Sequence, residues 1–213
     1  MTYDGWSPSY IFPTLFVPPK DYPTPGELFP ASINRTATSR SIRFINRQDA
    51  EAMLIYTHGS CLDNGRAKAR AACAYICEPS VDGCIASGLE SLDFSGNVPT
   101  SPRAELWAAI SALRRHRVWV GEGFTTLVLT SHSEYLVKGA TEWAPAWVRN
   151  NWRGGSRKAK EVDNRDVWEI LLEEVKRCHE AGLTVQMWKI RKGLDEKAYR
   201  AANGAAWTVH IPQ

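Results

Sequence analysis

The chain has 213 residues, of which 44% are hydrophobic and 23% are charged. This length supports one domain with a substantial core plus an additional segment. The formal net charge of +3 is only mildly basic, which excludes a chain that binds polyanions through its overall charge. Any affinity for nucleic acid must come from a local basic patch.

The cysteine pattern and the N-terminal sequence predict a cellular compartment. Five cysteines without a Cys-x-x-Cys pair are typical of reduced thiols. The first residues lack the basic start and the apolar core of a signal peptide, and no apolar run approaches membrane-spanning length. We therefore expect an intracellular protein, in the cytoplasm, the nucleus or both, that is neither secreted nor bound in a membrane.

Residues 1–32 contain seven of the twelve prolines, interleaved with aromatic side chains. Proline fixes φ and removes a hydrogen-bond donor, so we expect no helix in this segment. It is expected to be disordered or to form an extended arm. Such an arm either packs its aromatic side chains on its own domain or docks a protein partner.

Residues 34–47 carry four arginines and no acid. This composition predicts a solvated linker, although contact with phosphate is an alternative. Together these features divide the chain into an N-terminal arm and linker at 1–48, a domain at 49–207 and a C-terminal tail at 208–213.

Hydrophobic periodicity and turn signals predict the elements of the domain in chain order. Strands are predicted at 53–57, 71–77, 83–89, 125–130 and 183–190. Helices are predicted at 102–115 with Ser101 as the capping residue, from about 133 to 139, at 164–181 and at 195–206. This order predicts an α/β fold with a five-stranded mixed sheet flanked by helices on both faces.

Four motifs occur along the domain in a fixed order. They are Ile-Tyr-Thr-His-Gly-Ser-Cys-Leu-Asp-Asn-Gly from residue 55, Arg-Ala-Glu-Leu-Trp-Ala-Ala-Ile from 103, Ser-His-Ser-Glu-Tyr-Leu-Val-Lys-Gly-Ala-Thr-Glu-Trp from 131, and Asp-Asn-Arg-Asp-Val-Trp-Glu from 163. Together they resemble type 1 ribonuclease H, most closely its fungal members. The resemblance runs in register from about Ile42 to Ala206 and implies the ribonuclease H-like fold.

The resemblance also implies an activity, cleavage of the RNA strand of an RNA/DNA hybrid by two Mg²⁺ ions that four carboxylates hold. The equivalent positions in this sequence are His58, Glu105, His132 and Tyr199. Mg²⁺ prefers oxygen ligands, so imidazole and phenol replace carboxylate poorly, and one carboxylate cannot hold two ions. We expect no intact set of catalytic residues, loss of Mg²⁺ and a catalytically inactive member of the family.

Nearby acids are candidate replacements for the missing carboxylates. Asp195 and Glu196 precede Tyr199 by four and three residues on a predicted helix, and Glu134 and Asp63 follow the ends of predicted strands. One helical turn is about 5 Å, which is too far for a direct replacement. None of these acids is therefore expected to restore the Mg²⁺ site.

Two interpretations of the histidines stay open. If the fold brings His58, Glu105 and His132 together, the set suits Zn²⁺ or Fe²⁺ better than Mg²⁺. Alternatively, these residues are neutral substitutions that relieve the repulsion among four clustered carboxylates. The second interpretation predicts that no cofactor binds.

The segment from Trp143 to Arg165 combines three tryptophans with six basic residues against two acids. In the family, the matching protrusion is a handle that grips the DNA strand of the hybrid, and aromatic and basic side chains suit a backbone groove. The expected nucleic-acid contacts are Asn64, Trp143, Trp147, Arg149, Trp152, Arg153, Arg157, Lys158 and Lys160. In the alternative interpretation, the tryptophans pack a helix on the sheet and the charges are solvated.

Two classes of function follow from these features. In the first, the protein binds an RNA/DNA hybrid or double-stranded RNA without cutting it. In the second, it is a protein-interaction scaffold whose partner docks on the N-terminal arm or in the groove. A ribonuclease H with residual or altered metal dependence is the remaining alternative.

Overall fold

The structure, a computed structural model, describes residues 10–35, 40–64, 66, 68–80, 84–89, 98–154 and 160–209. The strands are β1 (Thr14–Leu15), β2 (Ala31–Ile33), β3 (Ile42–Ile45), β4 (Ala52–Leu62), β5 (Arg70–Ile76), β6 (Cys84–Gly88), β7 (Thr126–Ser131) and β8 (Thr184–Lys189). The helices are α1 (Pro25–Leu28), α2 (Ser101–Leu113), α3 (His116–Gly121), α4 (Glu134–Lys138), α5 (Ala144–Arg149), α6 (Arg165–Glu180) and α7 (Glu196–Thr208), with a π-helical turn at Gly139–Trp143.

The sheet is organised around β4, which is long enough to change neighbours along its length. Its first half pairs in parallel with β7, and its second half pairs antiparallel with β5. Strand β6 continues the antiparallel side, and β8 continues the parallel side next to β7. The α/β fold with a mixed sheet is therefore confirmed, and the five strands expected from sequence form its centre.

The predicted strand number was too low, because the described residues form a sheet of eight strands. The N-terminal region adds β1, which lies parallel to β8 with Thr14 opposite Gln186. It also adds β2 and β3, and β3 pairs with the first half of β4 through Phe44 and Leu54. The expectation of no helix was wrong as well: α1 begins with Pro25, where the missing N–H has no partner to lose.

The described part of the N-terminal segment packs on its own domain. The Phe16 ring centroid lies 5.0 Å from that of Trp188 and 5.9 Å from that of Phe29, and Phe29 is fully buried. The backbone N–H of Phe16 donates to the carbonyl of Met187 at 2.8 Å. Of the two predicted arrangements of the arm, residues 10–33 adopt the one that covers the sheet, while residues 1–9 lie outside the described part.

The linker predicted as solvated is anchored instead. Arg43 on β3 donates to both carboxylate oxygens of Glu122, at 2.9 and 2.7 Å, and it also pairs with Glu78. The Asn34 side-chain amide donates to the Glu122 backbone carbonyl at 2.8 Å. Arg43, one of the four arginines of this segment, therefore forms a partly buried bidentate ion pair that fixes β3 beside the end of α3.

Each face of the sheet has its own apolar layer, because successive residues of a strand point to opposite sides. Met53 and Ile55 belong to the larger layer, which α2 and α6 cover. Leu54 belongs to the second layer, which the N-terminal segment covers together with Trp188. Helix α7 packs on β4, β5 and β6, and Ser60 of β4 donates to Asn203 of α7.

Gly59 sets the close approach of α2 to β4. A Cβ at this position would lie 2.1 Å from the backbone nitrogen of Glu105 and 2.2 Å from the carbonyl carbon of Ala104. Only glycine leaves room for the helix backbone at this distance. This close packing fixes Glu105 beside His58, the residue that precedes Gly59.

Two helix boundaries differ from the predictions. Thr100, and not Ser101, caps α2, because its hydroxyl accepts from the Arg103 N–H at 3.4 Å. The helix predicted to end near Gly139 continues through the π-helical turn into α5. The predicted long helix is confirmed as α6, which Gly182 follows with a φ of +88°. Within the described residues, none of the helices has the length and apolar character needed to cross a membrane.

Candidate functional site

The candidate site forms where β4 and β7 run side by side. Their parallel register places Tyr56 opposite Thr130. His58 and His132 each come two residues later in the chain, so the two histidines lie side by side at the same level of the sheet. The two imidazole rings stack, with centroids 4.9 Å apart and planes 20° from parallel. Glu105 enters from α2, with its Oε1 3.9 Å from Nδ1 of His58 and 3.9 Å from Nε2 of His132.

Asp195 joins the two histidines. Its Oδ2 lies 3.0 Å from Nδ1 of His58 and 2.9 Å from Nδ1 of His132, and the residue is 3% exposed. Since an ionised carboxylate only accepts hydrogen bonds, both Nδ1 atoms donate to the same oxygen. Burial opposes ionisation of Asp195, but the hydrogen bonds and charges of His132 and His58 outweigh it, so its pKa lies below the usual value.

From the sequence, Asp195 was expected to lie too far from the Tyr199 position to replace its carboxylate, whereas the structure brings Asp195 into the cluster as the hydrogen-bond partner of both histidines. Helical spacing places it one turn before Tyr199, but Asp195 is the residue that precedes α7, with φ −107° and ψ 23°. Its backbone therefore leaves the helical path, and its carboxylate turns toward the histidines. The preference of Asp for helix N-terminal boundary positions is the sequence signal that could have indicated this.

Glu105 is held by short-range contacts on both carboxylate oxygens. The Ser131 hydroxyl donates to Oε2 at 3.1 Å, and the two histidines lie near Oε1. Burial raises the pKa of Glu105, while His58 and His132, together with hydrogen bonds from the Gly59 backbone and Ser131, act in the opposite direction. The pKa of His132 is raised because of its hydrogen bond to Asp195.

Tyr199 lies at the open side of this cluster. Its ring meets the edge of the His58 ring at 76°, with centroids 5.0 Å apart, and the residue is 41% exposed. A cavity of about 380 Å³ opens here, lined by His58, Lys192, Gly193, Asp195, Glu196 and Tyr199. The structure thus brings together the four positions that the resemblance singled out, His58, Glu105, His132 and Tyr199, and adds Asp195.

The three tryptophans predicted as nucleic-acid contacts form an aromatic cluster with the core. The centroid of Trp147 lies 5.8 Å from that of Trp143, 6.5 Å from that of Trp152 and 5.4 Å from that of the fully buried Trp168. Trp152 is 3% exposed and also packs against Tyr10. A contact between Trp152 and nucleic acid does not fit this burial, and Trp143 and Trp147 are half-buried.

Comparison with known proteins gives one consistent result. The RNase H family model matches residues 50–191, which is more than half of the chain. The chain belongs to the ribonuclease H family.

Relatives and a solved structure agree with this assignment. Ribonuclease H of Pseudomonas paraeruginosa is 34% identical over 61% of this chain and 76% of its own length. Ribonuclease H of Cyanothece sp. is 32% identical over 58% of this chain and 70% of its own length. The foamy viral protease-reverse transcriptase in complex with RNA/DNA hybrid shares the fold, with a TM-score of 0.53 and 15% identity, covering 73% of this chain and 20% of that one.

Within this ribonuclease H-family domain, the basic residues of the handle differ in their surroundings. Lys160 pairs with Asp163 at 2.8 Å. Arg149 and Arg153 are exposed, and neither forms an ion pair with another residue of the described part. Arg157 and Lys158 lie outside the described residues. Among the predicted basic contacts that the structure describes, Arg149 and Arg153 are therefore the two side chains that can bind a phosphate without first breaking an ion pair.

Asn64 lies beside the start of α2. Its side-chain oxygen accepts a hydrogen bond from the Ser101 N–H at 3.2 Å. This hydrogen bond ties the loop that follows β4 to the N-terminus of α2. Asn64 is exposed, so the structure leaves its predicted contact with nucleic acid sterically accessible.

Proposed function

We propose that this protein is a ribonuclease H-family domain that binds an RNA/DNA hybrid or double-stranded RNA without Mg²⁺-dependent cleavage. One observation carries the proposal. At three of the four positions where the family resemblance requires carboxylates, the chain has His58, His132 and Tyr199. We also propose that, within the family, the chain is most similar to the fungal members, on the basis of the four motifs given above.

The surroundings of the remaining carboxylates also argue against two Mg²⁺ ions. Oδ2 of Asp195 accepts from two imidazoles, and Oε2 of Glu105 accepts from Ser131. Mg²⁺ requires a nearly octahedral shell of oxygens, whereas two of the groups in this cluster are imidazoles and both of its carboxylates already accept hydrogen bonds from neighbouring side chains. The donor set does not fit the family's metal pair, so no step of hydrolysis is assigned to it.

Nucleic-acid binding is supported by the family and by the handle. The family relatives are named ribonuclease H, and a protein that shares the fold was solved in complex with RNA/DNA hybrid. The segment from Trp143 to Arg165 keeps six basic residues against two acids. The tryptophan cluster packs this segment against the core through the buried Trp152 and Trp168, and Arg149 and Arg153 of the segment are exposed to solvent.

Fluorescence anisotropy with a labelled RNA/DNA hybrid tests the binding role. We expect affinity to fall steeply with salt. The combined Arg149→Ala and Arg153→Ala variant should weaken binding and reduce the salt slope by about 1 for each phosphate that an arginine no longer neutralises. The matched control removes two exposed arginines elsewhere, through Arg117→Ala and Arg200→Ala. Because both variants lose the same net charge, a difference between them reports the handle and not overall electrostatics.

The alternatives give different results in the same experiment. No measurable binding to hybrid or duplex RNA at a physiological ionic strength of about 0.15 M would contradict the proposal and favour a protein-interaction scaffold. Binding accompanied by strand cleavage would favour an active ribonuclease H. Equal weakening in the handle variant and the control would remove Arg149 and Arg153 from the interface.

A further inference from the structure

We propose that His58, His132 and Glu105 bind one divalent transition-metal ion of the zinc class. Each of the three side chains offers a ligand atom, and these atoms lie within 4.8 Å of one another. Zinc bonds of about 2.0–2.2 Å in tetrahedral geometry place ligand atoms about 3.4 Å apart. The 3.9 Å separation from Oε1 of Glu105 to Nε2 of His132 therefore needs to shorten by about 0.5 Å.

A second layer of contacts already orients the ligands. Metal-binding histidines typically donate their other ring N–H to a carboxylate, which fixes the tautomer and the ring orientation. Asp195 accepts from the Nδ1 atoms of both rings, and this tautomer leaves a lone pair on each Nε2. For His132, Nε2 is the atom that faces Oε1 of Glu105, while Ser131 holds the other oxygen of that carboxylate.

The local charges favour a cation. Two carboxylates, Glu105 and Asp195, are buried within hydrogen-bond or ion-pair distance of the two imidazoles. Among the described residues, the ion-pair partners of Glu105 are these imidazoles, with no Lys or Arg within 4.0 Å. A divalent ion would offset the buried negative charge, and imidazole nitrogens select zinc-class metals over Mg²⁺.

The site has an open side. The cavity of about 380 Å³ reaches His58 and Asp195 and is bounded by Tyr199 and Lys192. Three protein ligands with space beside them match zinc sites that carry water or an exchangeable ligand in the fourth position. The chemical class of the ligand is therefore a borderline transition-metal ion with one exchangeable oxygen ligand.

Competing metal ligands elsewhere in the described chain are weak. Burial raises the pKa of Cys73 and of Cys178 to about 12, and that of Cys61 to about 11. A thiol binds metal as the thiolate, so the raised pKa of these cysteines disfavours metal binding, and among the described residues no other group of three or more His, Cys, Asp or Glu side chains brings its ligand atoms together. Exposed His179 lies on α6, away from the cluster, which makes it a control position.

Isothermal titration of tag-free, chelator-treated protein with Zn²⁺, in a large excess of Mg²⁺, tests the proposal. We expect one Zn²⁺ per chain for the wild type and for His179→Ala. The combined His58→Ala and His132→Ala variant should lose this binding. Asp195→Asn should weaken it by about 10–100-fold, as expected for a residue that positions ligands. Retained stoichiometric binding in the double variant, or none in the wild type, would overturn the proposal.

X-ray absorption at the zinc edge of the wild-type protein keeps the proposal testable if a variant does not fold. We expect a first shell of nitrogen and oxygen with scattering from two imidazole rings. Sulfur in that shell would assign the ion to cysteine and refute the site. This readout is separate from hybrid binding and cleavage, so failure of the metal site leaves the proposed nucleic-acid role to its own experiment.

Discussion

Replacing Asp195 probes the cluster most sharply, because one buried carboxylate oxygen accepts from two imidazoles. Each hydrogen bond to a charged group contributes about 1.5–3 kcal/mol, and breaking a buried pair costs about 3–5 kcal/mol. The two hydrogen bonds share one oxygen and are not additive. We therefore expect Asp195→Ala to lower the free energy of unfolding by about 3 kcal/mol.

Asp195→Asn separates charge from hydrogen bonding. The amide oxygen can still accept from His58 and His132 but carries no charge, so we expect a loss of about 1.5 kcal/mol, as for an ordinary neutral bond. Asp163→Ala is the matched control. The Asp163 side chain is exposed and pairs with Lys160, so its loss should cost less than about 1 kcal/mol.

The assay for these variants is urea unfolding at pH 6 in the presence of chelator, with linear extrapolation to water. An Asp195→Ala variant as stable as the Asp163→Ala control would refute the reasoning. That result would mean that the short hydrogen bonds of Asp195 contribute no net stability. An equal loss in Asp195→Asn and Asp195→Ala would instead show that the negative charge carries the whole effect.

Three further predictions concern stability. Gly59→Ala should lower the free energy of unfolding by more than about 3 kcal/mol, because the new Cβ would lie 2.1 Å from the backbone of α2. The control Gly204→Ala has open space around it and should stabilise α7 by about 0.5–1 kcal/mol. Equal shifts of the melting temperature in the two variants would contradict this. Arg43→Ala should cost about 3 kcal/mol, because it removes the bidentate ion pair with the buried Glu122, against less than about 0.5 kcal/mol for exposed Arg117→Ala, and similar urea midpoints would contradict it. The pKa of His132 is raised above 6.5 by its hydrogen bond to Asp195. In the presence of chelator, its contribution to stability is therefore complete below pH 6.5 and is lost as the pH rises through the raised pKa. A difference in unfolding free energy between the wild type and His132→Asn that grows with pH would refute this prediction.

Much of the fold was predictable because the central elements carry strong periodic signals. The alternation of Met53, Leu54 and Ile55 between two apolar layers and the apolar stripe of α6 both follow from spacing alone. The close packing at Gly59 is different: glycine in a strand indicates close approach of a backbone, but not which backbone approaches.

The short N-terminal strands were not predictable from local sequence. β1 has two residues and pairs with a strand about 170 positions away. A Pro-rich segment without alternation carries no strand signal. Its order comes from tertiary packing, such as that of Phe16 with Phe29 and Trp188, which only the folded chain creates.

The candidate site was predictable in part. The family resemblance implied that His58 and His132, at the ends of two strands, meet Glu105 of a helix at the centre of the sheet. The inward turn of Asp195 does not follow from regular helical spacing, because its backbone leaves the helix; the preference of Asp for helix N-terminal boundaries is the one signal that pointed to it. The burial of Trp152 agrees with the alternative in which the tryptophans pack on the domain; the sequence left both interpretations open, since aromatic residues among basic ones suit both a core and a nucleic-acid groove.

Cleavage of a labelled RNA/DNA hybrid with Mg²⁺ or Mn²⁺ tests the central claim most directly. Two metal ions supply several kcal/mol each to the transition state, so their loss should reduce the rate by at least about 10⁴-fold. We expect the wild-type protein to bind the hybrid and to cleave no faster than Glu105→Ala purified in parallel. Robust metal-dependent cleavage by the wild type that disappears in Glu105→Ala would contradict the account.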